Sequence, residues 1–335
     1  MSEGEILEDP VHPGTQMQTA TLGRTNLKVS RMGAGAGGPS RIGQKTGLTE
    51  AQSADLLRHA FDRGVNFVDT ASDYPDSESA LGEALQGHNH VIIETKYQPY
   101  DGWDGEASYT GSAEALISSA EESLRRLRRD RLDILLAHAI RTLESLDCFM
   151  NDGCYEAMVR LREQGKVRFI GISELSTVDG THEILKLAVP TGAFDVVMVT
   201  LNFLLQNAVE SVLPLCAWHD VGTAVMMPLN QASAESGLVS VQAALECVRR
   251  HVAAGHLPSN QPYTNLDLFE FLTPYSVPAA ALRFVLTQDV STCCVGTRSP
   301  ERFRENLQVV DPPYLDTERV EKLRELFGRN QAQIR

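Results

Sequence analysis

Eight short apolar runs recur along this chain, and a stretch of helical period follows each of them. The runs are RMGAGAG, VNFVD, VIIETK, LDILLAH, VRFIGIS, FDVVMVTL, GTAVMM and STCCVG. Their apolar residues are continuous rather than alternating, so each strand is expected to be buried on both faces, as in a parallel sheet covered by helices. The intervening stretches carry helix signals. Thr49, the second residue of LTEAQSADLLRHAFDRG, stands as a cap, Ser112 stands at the start of SAEALISSAEESLRRL, and CYEAMVRLREQGK stops at Gly165. Eight such units predict a (β/α)8 TIM barrel, an α/β fold.

Other segments decorate this frame. ATLGRTNLKVSRM reads as two short strands with a turn at Arg24–Asn26, an N-terminal β-hairpin closing the bottom of the barrel. A long loop follows the seventh strand at about residues 229–275, and TERVEKLRELFGR supplies a C-terminal helix. Residues 1–18 are rich in Gly, Pro and acids and are expected to be flexible. With no Gly/Ser-rich linker beyond them, residues 19–335 are expected to form a single barrel domain.

Composition narrows the class of partner. The chain has 335 residues and 42% hydrophobic content, enough for a full core. A net charge of -14 argues against a nucleic-acid backbone or an anionic membrane as partner. The acidic start MSEGEILEDPVHPG lacks the basic-then-apolar pattern of a signal peptide, and no apolar run approaches a membrane span. The six cysteines show no paired C-x-x-C spacing, so they are expected to be reduced thiols and no metal is expected. Cys293 and Cys294 adjoin in a strand and should point to opposite faces. A cytoplasmic protein acting on a small molecule is the expectation.

GAGAGG at Gly33–Gly38 satisfies G-x-G-x-x-G, but Pro39 follows at once and the next helix starts only near Leu48. A doubly wound dinucleotide fold opens its helix directly after the strand and carries an acid about 20 residues on. Glycines at the mouth of a first barrel strand, Gly35 among them, fit better, because they let backbone approach a ligand closely.

In such a barrel, chemistry sits at the C-terminal ends of the strands. Asp69 ends VNFVD, with Tyr74 in the loop after it; Lys96 ends VIIETK and His138 ends LDILLAH. Ser173 and Glu174 follow the fifth strand, and Gly296 and Thr297 the eighth. Singly, each has an ordinary reading: a turn cap, a packing tyrosine, a snorkelling lysine, a barrel-mouth histidine. Jointly, three consecutive strands deliver Asp, Lys and His to one face beside a tyrosine. An ammonium next to the phenol is expected to lower its pKa toward neutral and make it a proton donor, or a base in reverse.

With these residues in place, the sequence resembles the aldo-keto reductase family. The resemblance rests on GVNFVDTASDYPDSESALGEAL, IIETK, LDILLAH, GKVRFIGIS and VGTRSPERFRENL, in that order, and on the opening LGRTNLKVSRMGAG. It implies that Asp69, Tyr74, Lys96 and His138 are a catalytic tetrad with Tyr74 as proton donor. It also implies NADP(H) lying across the barrel mouth. In GTRSPERFRENL, Arg298 and Arg302 are candidates for an adenosine phosphate or the adenine face, and Glu305 and Asn306 for the adenine end. Several cofactor positions depart from the family pattern. Glu174 stands where the family has Asn, Met198 where it has Gln, Met226 where it often has Tyr, and Pro75 where it usually has Gly. Glu174 is expected still to accept an amide hydrogen bond, and Met226 to offer a soft apolar face. In YQPYDGWDGEASYTG, Tyr100 and Trp103 are candidates for a wall of the substrate pocket.

The expected activity is an NADP(H)-dependent oxidoreductase interconverting an aldehyde, ketone or sugar with an alcohol. The altered cradle keeps open a nucleotide-binding subunit with little turnover. Lys96 keeps open a barrel lyase working through a Schiff base.

Overall fold

The computed structural model describes residues 17–37, 41–103, 107–175, 177–231, 236–296, 300–312 and 314–330. Strands β1 (Thr19–Thr21) and β2 (Lys28–Ser30) pair antiparallel around a tight turn at Gly23–Thr25. Eight further strands follow: β3 (Met32–Gly35), β4 (Phe67–Asp69), β5 (Ile92–Tyr97), β6 (Leu132–Ile140), β7 (Val167–Glu174), β8 (Val196–Thr200), β9 (Gly222–Met226) and β10 (Thr292–Val295). They form a closed barrel in sequence order, β10 pairing with β3, and every pairing is parallel.

Two apolar layers hold the barrel. The outer layer lies between strands and helices. The inner one fills the barrel with Phe67, Ile92, Ile134, Leu136, Val196, Met198 and Cys294, closed from below by Leu22, Leu27 and Val29 of the hairpin. Cys293 belongs to the outer layer and Cys294 to the inner, as strand alternation requires. All six cysteines are free thiols. Arg24 fastens the hairpin to the barrel wall by donating to Asp195 (3.1 Å) and to the Phe194 carbonyl (2.5 Å).

The helices follow their local signals. Thr49 and Gln52 form a capping box on Glu50–Asp62, and Ser112 caps Ala113–Leu127. The stretch AVESVLPLCAWHD folds as two helices, Asn207–Ser211 and Leu213–Trp218. Pro214 sits at the start of the second, where its missing N–H is harmless; inside a continuous helix it would break the ladder. The helix Leu143–Asn151 was not expected, and the segment after β9 contains a helix, Val241–Ala253, capped by Ser240. Among the described residues no helix is long and apolar enough to cross a membrane, and no His/Cys/Asp/Glu group could hold a metal.

Candidate active site

Asp69 is the last residue of β4, and Lys96 lies on β5, the neighbouring strand. Both point into the barrel mouth. The Lys96 ammonium is 2% exposed; it donates to Asp69 Oδ1 and, at 2.6 Å, to the Thr70 carbonyl. Burial alone would lower the Lys96 pKa, but the Asp69 carboxylate to which it donates overrules it and holds it above its ordinary value.

His138 lies near the end of β6, where the register against β7 shifts between Ala137 and Ile140. Ala139 has φ 55, a left-handed conformation costly for alanine, and its N–H is held by Ser173 Oγ at 2.8 Å. Such a bulge re-aims a side chain at a barrel rim. His138 Nδ1 is 3.1 Å from Asp73 Oδ1.

Tyr74 precedes the helix Pro75–Ala84. Its ring stacks on Trp103 (6.3 Å, 19°), meets His138 edge-on (5.9 Å, 82°) and lies under the Arg41 guanidinium (5.1 Å). Gly37 makes this possible: a Cβ there would fall 2.5 Å from the Tyr74 ring. The loop holding the tyrosine is pinned from behind. Arg126 donates to the Ser72 carbonyl and to Glu78 Oε2, both at 2.9 Å, and fully buried Glu78 also accepts from Thr95 Oγ1 at 2.7 Å.

One expectation about the tyrosine is reversed. Burial, with the Asp73 and Asp69 charges, raises the Tyr74 pKa above its ordinary value, and Arg41 opposes this. The physical reason is that the Lys96 charge is already matched by Asp69, so the phenol does not sense a lone ammonium.

A cavity of about 740 Å³ opens at this end of the barrel. Asp69, Tyr74, Lys96 and His138 all line it. So do Gly35, Ser173, Glu174, Met198, Met226, Gly296, Arg302, Glu305 and Asn306. Thr297 and Arg298 lie outside the described residues. Trp103, 44% exposed, lines the cavity; Tyr100 does not. Tyr100 is instead buried in its own loop. Its hydroxyl donates to Ser145 Oγ (2.8 Å) and accepts from the Arg141 N–H (3.1 Å), while the Arg141 guanidinium covers its ring at 4.0 Å. Glu174 is likewise turned inward. Oε1 accepts from the Thr200 N–H at 2.9 Å, and Oε2 pairs with His182 Nδ1 at 2.7 Å. Burial alone would lower His182, but the Glu174 carboxylate raises it.

Sequence reasoning missed Asp73 and Glu94. Glu94 is opposite Asp69 in register and completely buried. Its signal was present: it stands two residues before Lys96 in a strand, hence on the same face. Asp73 left no such signal, since its partner is 65 residues away.

A sequence model of the Aldo/keto reductase family matches residues 32–327. An L-galactose dehydrogenase of Arabidopsis thaliana is 30% identical over 306 residues, covering 88% of this chain and 89% of that protein. An NADH-specific methylglyoxal reductase of Escherichia coli (strain K12) is 26% identical over 330 residues, covering 88% and 94%. Among solved structures, the holo form of an aldo-keto reductase from Bacillus halodurans superposes with a TM-score of 0.69 at 23% identity, covering 93% of this chain and 96% of that one. An aldo-keto reductase from Klebsiella pneumoniae in complex with NADPH gives 0.66 at 21% identity, covering 96% and 99%. The family match spans most of the chain and takes in Asp69, Tyr74, Lys96 and His138: the chain belongs to the aldo/keto reductase family and is an oxidoreductase.

Proposed function

We propose that the protein interconverts a small carbonyl compound and its alcohol using NADP(H), with Tyr74 handling the proton. The observation that carries this reading is the convergence of Asp69, Tyr74, Lys96 and His138 on one cavity of about 740 Å³ at the barrel mouth. When bound, a nicotinamide cofactor supplies or accepts the hydride. The cavity suits such a group in part. Gly35 and Gly296 lie side by side on its rim, at the ends of neighbouring strands, with a Cβ on Gly35 only 3.2 Å from the Gly296 nitrogen, so both present bare backbone to the cavity. Met226 offers an apolar face, and Arg302, Glu305 and Asn306 offer polar groups. Glu174 is engaged by His182 and Thr200, and Ser173 Oγ accepts from the Ala139 N–H (2.8 Å) and donates to the Ala137 carbonyl (3.4 Å), so both already have partners.

The chain's own residues have separable tasks. Lys96 and Asp69 set the charge beneath Tyr74. A Tyr74 held as a phenol is ready to donate to a developing alkoxide. His138 and Trp103 border the place where the substrate oxygen would sit. Lys96 as a charged ammonium argues against the Schiff-base lyase, which needs a neutral amine.

Titration with NADPH and NADH, followed by turnover across aldehydes, ketones and sugars, tests the proposal. Tyr74→Phe should lower kcat roughly 10²- to 10⁴-fold and leave cofactor affinity intact. The inward-turned Glu174 favours a second reading, a nucleotide-binding subunit with little turnover. Tight NADPH binding with no Tyr74-dependent turnover on any substrate would select it.

A further inference from the structure

The loop that carries Trp103 is held by a residue from the next strand. At its base this loop closes on itself: Tyr100 bridges Tyr109, and the Thr110 N–H donates to the Pro99 carbonyl at 2.9 Å. Beyond that base Arg141 reaches in, directly after Ile140, the last residue of the strand that carries His138. Arg141 is 4% exposed. It donates through Nη2 to the Gly102 carbonyl at 2.7 Å and through Nη1 to the Ala107 carbonyl at 3.4 Å. Gly102 immediately precedes Trp103 and Ala107 lies on the returning arm, so one guanidinium spans both arms of the loop. The guanidinium carbon also lies 4.0 Å from the centre of the Tyr100 ring, which Ser145 anchors from below. A planar fork with fixed donors suits these three contacts; an ammonium would offer a single point charge.

The ring placed in this way meets the catalytic face. Trp103 stacks on Tyr74 (6.3 Å, 19°) and meets His138 edge-on (5.0 Å, 79°), and it lines the cavity while 44% exposed. An indole so held offers a flat apolar wall beside the proton donor. Such a wall rewards offset stacking of a ring more than contact with a short chain.

We propose that Arg141 is a positioning residue that holds Trp103 against Tyr74, and that the pocket thereby selects carbonyl compounds bearing a flat apolar ring over short acyclic ones. This rests on the carbonyl–alcohol reading above. Arg141 does not itself line the cavity, so its effect on selectivity passes through Trp103. Arg141→Lys keeps the charge but cannot bridge both arms and cover the Tyr100 ring. The Gly102 carbonyl keeps Gln98 Nε2 as a donor at 2.9 Å, so the change leaves no orphaned acceptor there. Tyr100→Leu releases the same fork from the other side by removing the ring beneath it.

The chain has two tryptophans, and Trp218 is 85% exposed, so Trp218→Phe leaves Trp103 as the sole indole at little cost to folding. In that background, without substrate, acrylamide quenching of Trp103 should rise by up to about twofold in Arg141→Lys and in Tyr100→Leu, as a ring now 44% exposed becomes freely accessible. Unchanged quenching in both overturns the positioning. In turnover with NADPH, the kcat/KM ratio of benzaldehyde to propanal should fall roughly 2- to 10-fold in Arg141→Lys, with the NADPH Kd unmoved. A merely structural role would lower both aldehydes alike, and an unmoved ratio overturns the selectivity. Trp103→Leu should lower the ratio by a similar factor, and adding Arg141→Lys to it should lower the ratio no further. A further fall in the double variant means that Arg141 acts by another route and overturns the proposal. If the native enzyme turns over no carbonyl or alcohol, the function above fails and the selectivity with it, while the quenching still decides the positioning.

Discussion

Replacing Glu94 by Gln tests the electrostatics beneath the catalytic face. Glu94 lies on β5 opposite Asp69, fully buried, and neither of its oxygens has a hydrogen-bond partner among the described residues. Burial pushes its carboxyl well above the ordinary value of 4.5; the Asp69 charge adds to that push and the Lys96 ammonium opposes it. A carboxyl raised on folding keeps a proton that the unfolded chain has already released. Its contribution is therefore fully present below pH 4.5 and is lost as pH rises toward the native pKa. For one proton the loss is about 1.4 kcal/mol per pH unit within that window. The E94Q protein has no such proton to hold. Its amide is also left unpaired, at a cost of about 1–3 kcal/mol, but that cost is the same at every pH and shifts the baseline only. Urea unfolding at steps of about one unit from about pH 5 upward should show E94Q gaining on the native protein by about 1.4 kcal/mol per step at constant m. The gain should level off where the native carboxyl finally ionises. Parallel stability curves for the two proteins would refute the reasoning, since they would mean that Glu94 is ionised in the native barrel.

Two further substitutions probe the support of Tyr74. Arg126→Ala leaves the Glu78 carboxylate buried without its cation and frees the Ser72 carbonyl, so it should cost about 3–5 kcal/mol in urea unfolding. The double change Arg126→Met with Glu78→Leu should recover most of that loss, because it removes the unpaired charge. Gly37→Ala places a methyl 2.5 Å from the Tyr74 ring; it should cost about 1–3 kcal/mol and lower kcat more than it raises KM, read by steady-state kinetics beside unfolding.

The barrel was legible because its signal is local and repeated. Each strand is buried on both faces and therefore reads as an unbroken apolar run, and each helix carries its own cap, as Thr49, Ser112 and Ser240 do. The strand-end residues were legible for a related reason: once the strands are placed, barrel topology alone brings Asp69, Lys96 and His138 to one rim. What the sequence did not reveal is set by partners distant along the chain. Glu174 lines the cavity as its place after the strand suggests, but that His182 and the Thr200 N–H claim its oxygens is not legible along the chain. Tyr100 reads as a pocket wall until Ser145 and Arg141 bury it. The acids Asp73 and Glu78 lie at the entrance of the helix Pro75–Ala84, yet one holds the histidine and the other the arginine that pins the tyrosine's loop. The direction of the Tyr74 shift follows the same rule. A lysine beside a tyrosine lowers the phenol only if its charge is unspent, and whether Asp69 has already matched it depends on side-chain geometry between two strands. In this barrel the tetrad's positions are properties of the topology, while the protonation state of each member is a property of non-local pairs.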